Sequence, residues 1–248
     1  MSTDLSAGEV KVITFSLDLA PSAVESLERV LSPDEVARAE KLRLPRDRRR
    51  FVVGRAGTRR ILADHVKKEA SHLRFQYGPN GKPALADAPQ IRFNMSGSHG
   101  LGILAIRADY DVGVDLERTR PLPTALSLAE RNFTPEESRA LGALSGDELE
   151  AAFFSLWTRR EALLKCLGCG LSHPSNAFSL ISIPAEPAEQ TLVHGPDGLT
   201  NYCVVSLPAP EEGYVAALAT QEALPRVRCF SWDPAETGDL RLTEVERR

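Results

Sequence analysis

Five residues near the middle of the chain have types and spacings that suit metal and phosphate chemistry. Asp115 and Glu117 lie two apart in an apolar, β-prone run. Both carboxylates of such a pair point to one face of a strand, because successive strand side chains alternate. Trp157, Glu161 and Lys165 are spaced by four, which stacks them on one helix face. Three carboxylates with a lysine one turn further on predict a Mg²⁺ site beside a phosphate-binding cation.

Each of these features also has an ordinary structural interpretation. An acidic pair two residues apart on a strand commonly faces solvent, and Glu161 with Lys165 matches a simple i, i+4 ion pair. Trp157 fits a core position better than a catalytic one. The metal site is favoured because the acidic pair falls at the junction between two predicted halves of the chain, where ligand clefts tend to form.

The elements that must position these residues predict a mixed α+β fold made of two similar halves. Ser32-Pro33-Asp34-Glu35 is a helix start with a capping box, and its helix is expected to reach about Leu44. A second helix is expected over about 47–70. Thr134-Pro135-Glu136-Glu137 repeats the same start 102 residues later (134 − 32). Phe153 follows Thr134 at the same distance at which Phe51 follows Ser32, which indicates an internal repeat.

We therefore expect one half at 1–112, a second at 113–222 and an extension at 223–248. The halves are expected to be related by a pseudo-twofold axis, with the active site in the cleft between them. Within the first half, Val10–Leu19 is predicted as a strand. The segment 91–100 is predicted as a strand that runs into a loop of small residues near 94–98. An edge strand is expected in the extension near Val227.

Bulk composition indicates a soluble globular protein, with 42% hydrophobic and 26% charged residues. No apolar run is long enough to cross a membrane, and the N-terminus lacks the pattern of a secretory signal. Both observations favour the cytoplasm. The four cysteines are interpreted as reduced thiols, because the lone Cys166-x-x-Cys169 pair has no partner pair that would complete a zinc site.

A basic segment stands out from the acidic whole. The net charge is −4, yet ten lysines and arginines between Arg38 and Arg60 are opposed by only Glu40 and Asp47. A solvated helix face is the ordinary interpretation of such a run. A polyanion site is the functional one. Because the chain as a whole is acidic, the segment fits a small phosphorylated ligand better than nucleic acid.

Four motifs together resemble the 4′-phosphopantetheinyl transferases of the larger, two-lobed Sfp type. They occur in the family's order and cover nearly the whole chain to about residue 220. The matching stretches are Gly-Lys-Pro (81–83), Phe-Asn-Met-Ser-Gly-Ser (93–98), Gly-Val-Asp-Leu-Glu (113–117) and Trp-Thr-Arg-Arg-Glu-Ala-Leu-Leu-Lys (157–165).

The resemblance implies transfer of 4′-phosphopantetheine from coenzyme A to a serine of an acyl or peptidyl carrier protein, with release of 3′,5′-ADP. Asp115, Glu117 and Glu161 would hold Mg²⁺, with Mn²⁺ as an alternative. Glu161 would act as general base, and Lys165 would stabilise the leaving phosphate. The residues that would contact coenzyme A are Arg46, Arg50, Lys82, Pro83, Asn94, Ser96, Gly97, Ser98, His99, Asp115, Arg160 and Lys165.

Three positions depart from the family's pattern. Gly97 stands where a histidine is usual, and we hypothesise that His99 or a nearby arginine replaces its contact to the 3′-phosphate. Arg160 replaces a lysine before the catalytic glutamate, which keeps the charge but changes the geometry. Cys169 replaces a lysine between two glycines, and we expect it to face away from the phosphates.

Two other functions remain open at this stage. One is a non-catalytic coenzyme A-binding module, and the other is a Mg²⁺-dependent nuclease that uses the same acids. For the carrier protein, the region between Arg118 and Glu150 is a hypothetical docking face, with an ordinary core as its alternative. The apolar residues concerned are Leu122, Leu126, Leu128 and Phe133. A duplicated chain can form its cleft alone, so a monomer is expected.

Overall fold

The structure is a computed structural model that describes residues 5, 8–170, 178–180, 190–195, 200–222, 226–235 and 240–245. These residues form a mixed α+β fold, as predicted. In chain order the elements are β1 Glu9–Ser16, α1 Pro21–Glu28, α2 Pro33–Glu40, α3 Pro45–Val66, β2 Phe75–Tyr77, β3 Pro83–Leu85, β4 Ile91–Ser98, β5 Leu101–Ala108, β6 Val112–Arg118, α4 Ala125–Asn132, α5 Pro135–Gly142, α6 Gly146–Leu167, β7 Gln190–His194, β8 Asn201–Leu207, β9 Tyr214–Gln221, β10 Arg226–Trp232 and β11 Thr243–Val245.

Two sheets form the centre of the molecule. The first has the order β11-β10-β1-β5-β4, and the second has the order β6-β9-β8-β7. One apolar core lies between the first sheet and helices α1–α3, and a second joins the other sheet to α4–α6. A third core combines residues of both sheets, including Val12, Ile103, Val114 and Leu218. This shared core fixes the two sheets against each other.

The predicted helix starts are confirmed, but the helix lengths are not. Ser32 and Thr134 both form capping boxes with the glutamate three residues later. Helix α2 ends at Glu40 rather than near Leu44, and α3 spans Pro45–Val66 rather than 47–70. Pro45 is the first residue of the new helix, because proline needs no hydrogen-bonded N–H there and its fixed φ suits a helix start.

Two strand predictions need correction. The segment 94–98 is not a loop, since it forms the second half of β4 and pairs in register with β5. In the extension, β10 is not an edge strand. It pairs in parallel with β1 on one side and antiparallel with the short edge strand β11 on the other. The strands β10 and β11 therefore belong to the same sheet as β1, β4 and β5.

Two glycines of α3 pack closely against the first sheet. A Cβ on Gly54 would lie 2.9 Å from Met95 Cε, and one on Gly57 would lie 2.9 Å from Phe15 and 3.0 Å from Trp232. Helix α3 thus lies directly on the first sheet. Within the described part of the chain, no helix is both long and apolar enough to span a membrane.

Candidate active site

The candidate site lies at the seam where strand β4 of the first sheet meets strand β6 of the second. Side chains of β4 join the two strands by bonding to backbone and side-chain groups of β6. The backbone N–H of Val114 donates to Asn94 Oδ1 over 2.9 Å. Ser96 Oγ donates to Asp115 Oδ1 and Ser98 Oγ to Glu117 Oε2, each over 2.8 Å.

This ladder corrects the sequence interpretation of Asn94, Ser96 and Ser98. They were expected to donate to an anion from a loop, but they occupy alternate positions of a strand and bind the neighbouring strand instead. Gly97 lies between them on the opposite face of β4. The polar row therefore holds the acids of β6 in place.

Helix α6 approaches the same seam because β6 begins with a glycine. A Cβ on Gly113 would overlap the carbonyl oxygen of Ala162 and the backbone N of Cys166, and would lie 2.9 Å from the Cα of Cys166. The backbones of strand and helix are thus in direct contact. Because of this contact, the helix that carries Glu161 and Lys165 lies close to the strand that carries Asp115.

Asp115 and Lys165 form the closest charged pair of the site. Lys165 Nζ lies 2.5 Å from Asp115 Oδ1 and donates to Ser96 Oγ over 2.8 Å. Asp115 is buried, with 4% of its surface exposed. Lys165 and Asp115 come from the two elements expected from the spacing, one from the helix and one from the strand.

Glu161 faces the same group of charges. Burial raises the pKa of Glu161 above its ordinary value, and the negative charges of Asp115 and Glu117 raise it further. Lys165 and Arg160 oppose this rise. The two β6 carboxylates are therefore near enough to Glu161 to influence its charge. A carboxyl group of raised pKa suits proton transfer near neutral pH.

The fit of these residues to a divalent cation is mixed. No three carboxylate, cysteine or histidine side chains among the described residues are close enough together to enclose a metal. The donor types nevertheless suit Mg²⁺, which prefers carboxylate oxygens. Asp115 Oδ2 is buried and has no hydrogen-bond partner, which leaves it available as a ligand. The donor chemistry therefore fits, while Lys165 occupies the other Asp115 oxygen.

Lys82 contacts a residue just before β6 and the last part of α6. Its Nζ donates to the carbonyl oxygen of Cys166 over 2.7 Å and pairs with Asp111 at 3.1 Å. Lys82 also lines a cavity of about 440 Å³, together with Pro83. Tyr77, Arg92, Phe93, Asp111 and Gly168 contribute to the same lining. The predicted coenzyme A contacts Lys82 and Pro83 thus border a cavity at this end of the seam.

Arg160 does not reach the cleft, which corrects its predicted contact to the nucleotide. It is buried, with 1% of its surface exposed, and pairs with the buried Glu137 of α5. Its Nη1 also donates to the carbonyl oxygen of Phe178 over 3.1 Å. Successive side chains on an α-helix point in directions about 100° apart. Arg160 can therefore point into the core while its neighbour Glu161 faces the seam.

Arg50 lies beside the turn between β4 and β5, where its Nη2 is 3.7 Å from the Cβ position of Gly100. Arg50 donates to both carboxylate oxygens of Asp18 over 2.7 and 2.6 Å. Arg46 is largely exposed and lies 3.6 Å from Asp47. His99 is exposed in the β4–β5 turn. Sequence reasoning did not find Asp18, since nothing in its surroundings signals a partner 32 residues away.

Other predicted residues lie outside the cleft. Trp157 packs in the core, stacked on Phe153 at 5.9 Å, as its ordinary interpretation expected. Cys169 Sγ lies 3.8 Å from the carbonyl oxygen of Leu164, so the thiol is turned back onto α6. All four cysteines are free. In the hypothetical docking face, Phe133 is buried core, whereas Leu126 is 40% exposed.

Comparison with known proteins places this site in a family. The 4′-phosphopantetheinyl transferase superfamily matches residues 111–219, which contain β6 and α6. Over 233 residues the chain is 34% identical to 4′-phosphopantetheinyl transferase HetI of a Nostoc species, covering 93% of this chain and 92% of that protein. It is 30% identical to 4′-phosphopantetheinyl transferase psf-1 of Bacillus pumilus, covering 82% and 84%.

A third relative is 4′-phosphopantetheinyl transferase Sfp of Bacillus subtilis, 30% identical over 163 residues, with 64% of this chain and 71% of that protein covered. The chain belongs to the 4′-phosphopantetheinyl transferase superfamily. The resemblance drawn from the four sequence motifs is thereby confirmed.

Proposed function

We propose that this chain transfers the 4′-phosphopantetheine group of coenzyme A to a serine hydroxyl of an acyl or peptidyl carrier protein and releases 3′,5′-ADP. The observation that carries the proposal is the convergence of Glu161, Asp115 and Lys165 at the β4–β6 seam. Membership of the superfamily supports the same reaction. Carboxylates and a lysine around one cleft are the parts that phosphoryl transfer requires.

In this reaction Glu161 accepts the proton of the carrier serine, directly or through a water molecule. The serine oxygen then bonds to the phosphorus that carries pantetheine, and the bond from this phosphorus to the bridging oxygen breaks. The bridging oxygen leaves with 3′,5′-ADP. Burial raises the pKa of Glu161, which makes its carboxylate a stronger base than an exposed one.

Lys165 supplies positive charge to the leaving phosphate. In the structure its Nζ is held by Asp115 and Ser96, which fixes the ammonium group beside the acids. A cation placed in advance stabilises developing charge without reorganisation during the reaction. Asp115, Glu117 and Glu161 would hold Mg²⁺ or Mn²⁺, whose charge neutralises phosphate oxygens when it is bound.

The proposal includes the organisation of the chain. Two lobes, 1–112 and 113–222, would be related by a pseudo-twofold axis, with 223–248 as an extension. The equal lengths of α3 and α6, 22 residues each, support this relation. So does the buried pairing of each capping-box glutamate with an arginine of the long helix, Glu35 with Arg59 and Glu137 with Arg160. The enzyme would act as a cytoplasmic monomer.

Mass spectrometry of an apo carrier protein incubated with coenzyme A and Mg²⁺ tests the function. We expect the carrier to gain one phosphopantetheine group with the native chain and none with Glu161→Gln. Glu148→Gln, an exposed acid in the first turn of the same helix, is the matched control and should remain active. Full activity of Glu161→Gln would overturn the assigned base. Coenzyme A binding without transfer to any of several carriers would favour the non-catalytic module.

A further inference from the structure

The turn between β2 and β3 packs against the C-terminal end of helix α6. Asn80 Nδ2 donates to the carbonyl oxygen of Gly168 over 3.0 Å, and Lys82 Nζ donates to that of Cys166 over 2.7 Å. The last carbonyl groups of an α-helix have no partners within the helix. Side chains of this turn therefore bind carbonyl groups that α6 itself leaves open.

Glycines at the end of α6 allow the turn to come this close. A Cβ on Gly168 would lie 3.2 Å from Lys82 Cδ, and one on Gly170 would lie 3.2 Å from Asn80 Cβ. Both glycines have positive φ, 66° and 56°, where a side chain would be strained. The chain beyond Leu167 therefore presents its backbone to the turn.

The turn that carries Asn80 and Lys82 is closed by its own hydrogen bonds. The backbone N–H of Gly78 donates to the carbonyl oxygen of Lys82, and that of Gly81 donates to the carbonyl oxygen of Gly78, each over 2.9 Å. Gly81 has a φ of 81°, which a residue with a side chain rarely adopts. Lys82 therefore projects from a support that is already ordered.

Lys82 also binds the start of the strand that carries the acids. Its Nζ donates to Asp111 Oδ1 over 3.1 Å, and Asp111 directly precedes β6. The carbonyl oxygen of Asp111 in turn accepts a hydrogen bond from Gln221 of β9. Two of the three N–H groups of the ammonium are therefore used between α6 and the start of β6.

Lys165 lies in the part of α6 that these contacts hold. The helix ends at Leu167, so Lys165 belongs to its last turn, and the ends of helices fray readily. The contact of Gly113 with α6 limits how closely the backbones approach, but it does not oppose their separation. Lys82 bonds to both elements and therefore opposes separation.

We propose that Lys82 is a positioning residue of the transfer reaction, which holds the last turn of α6 against β6. It thereby keeps Lys165 within bonding distance of Asp115 and Ser96. This role rests on the proposed function, because Lys165 meets the leaving phosphate there. Lys82 acts through the carbonyl oxygen of Cys166, the residue after Lys165, and not through a contact to the substrate.

Steady-state kinetics of the transfer reaction separate this role from a substrate contact. We expect Lys82→Met, which removes the ammonium group but keeps an unbranched side chain, to lower kcat about tenfold or more, since small misplacements slow catalysis strongly. The KM for coenzyme A should change by less than about twofold. Lys82→Arg should restore part of kcat, because a guanidinium can donate to the same oxygens. A raised KM at unchanged kcat would overturn the proposal.

Hydrogen exchange measures the hold on α6 without reference to activity. The N–H of Gly168 donates to the carbonyl oxygen of Leu164 over 3.0 Å and reports on the last turn. In Lys82→Met we expect this amide to exchange about tenfold faster or more, while the mid-helix amide of Leu156 exchanges as in the native chain. Asn80→Ala should give a smaller increase at Gly168. Unchanged exchange at Gly168 in Lys82→Met would overturn the proposal even if kcat falls.

Lys68→Met is the matched control, because Lys68 is an exposed lysine paired with Asp87. Its kcat and its exchange pattern should equal those of the native chain. Asp111→Asn is a milder second variant, which weakens the hold on β6 and should show smaller effects in the same direction. Native kcat together with native exchange in Asp111→Asn would contradict the link to β6. Faster exchange at Gly168 in Lys82→Met, in a chain that transfers nothing, would support the hold on α6 and contradict only the proposed function.

Discussion

Gly113 of β6 and Ala162 of α6 are in backbone contact, because a Cβ on the glycine would overlap the carbonyl oxygen of the alanine. This contact sets the distance between the strand that carries Asp115 and Glu117 and the helix that carries Glu161 and Lys165. Spacing along each element decides which side chains face the seam. The glycine decides how close the two elements come.

Replacing this glycine should separate strand from helix. We expect Gly113→Ala to destabilise the protein by about 3 kcal/mol or more, since rigid backbone atoms rather than flexible side chains oppose the added methyl group. Urea denaturation measures the change. Gly142→Ala at the end of α5 is the control, because no atom lies within 4 Å of its Cβ position. Equal stability of the two variants would contradict the contact.

The buried pair of Glu137 and Arg160 should contribute strongly to the stability of the protein. Glu137 accepts hydrogen bonds from the backbone of Thr134 and Leu180 as well as from Arg160. Removing one partner of a buried pair costs about 3–5 kcal/mol. We expect a loss of this size for Glu137→Gln in chemical denaturation.

The neighbouring pair of Glu136 and Arg139 supplies the comparison. Both side chains are more than half exposed, at 57% and 74%, and surface pairs contribute about 0–1 kcal/mol. Glu136→Gln should therefore leave the denaturation midpoint almost unchanged. Similar losses in the two glutamine variants would show that burial does not decide the strength of these pairs.

His65 should make the stability depend on pH. Its Nδ1 lies 2.7 Å from the carbonyl oxygen of Ile61, while Nε2 is buried without a partner. Burial lowers the pKa of His65 from 6.5, and the charges of Lys11 and Lys67 lower it while Asp64 opposes them. Near a helix C-terminus the dipole favours the imidazolium, but here desolvation outweighs it.

A folded-state pKa below the unfolded value means that the unfolded chain binds the proton more readily. The resulting stability is fully present above pH 6.5 and is lost as the pH falls through the folded-state pKa. We expect the denaturation midpoint to fall more steeply below pH 6.5 in the native chain than in His65→Gln. Parallel pH profiles of the two proteins would contradict this assignment.

The packing of Leu17 over Gly97 predicts a coupled pair of substitutions. Gly97→His should cost about 1–3 kcal/mol, because its Cβ meets Leu17. In a Leu17→Ala background the same substitution should cost less, since the opposing methyl groups are gone. A double-mutant cycle measured by urea denaturation gives the coupling. Additive losses would show that Leu17 does not restrict position 97.

The parts of the site that depend on local spacing were predictable from the sequence. Period-two spacing put Asp115 and Glu117 on one side of a strand, and period-four spacing put Glu161 and Lys165 on one side of a helix. The polar row of β4 was misread as a loop because its residues are small. Their spacing of two, at Asn94, Ser96 and Ser98, was the signal that could have identified a strand.

Partners distant in sequence were not predictable. Arg160 carries a charge next to the predicted base, yet its side chain points into the core because it forms a buried ion pair with Glu137. Lys82 pairs with Asp111 and donates to a carbonyl oxygen near the end of α6. No local sequence pattern predicts these contacts. The placement of β10 beside β1 joins residues more than 200 positions apart, as in the pairing of Val10 with Val227. Such contacts follow from tertiary packing and have no periodicity along the chain.

The position of β10 has a consequence for the order of folding during synthesis. Domains ordinarily fold as they emerge, beginning with the N-terminal part of the chain. Here the first sheet contains β10, which the ribosome makes after every strand of the second sheet. Until β10 is added, one edge of β1 has open backbone hydrogen-bonding groups. The second sheet can therefore be complete before the first sheet is, although the first sheet contains the strand that is synthesised first.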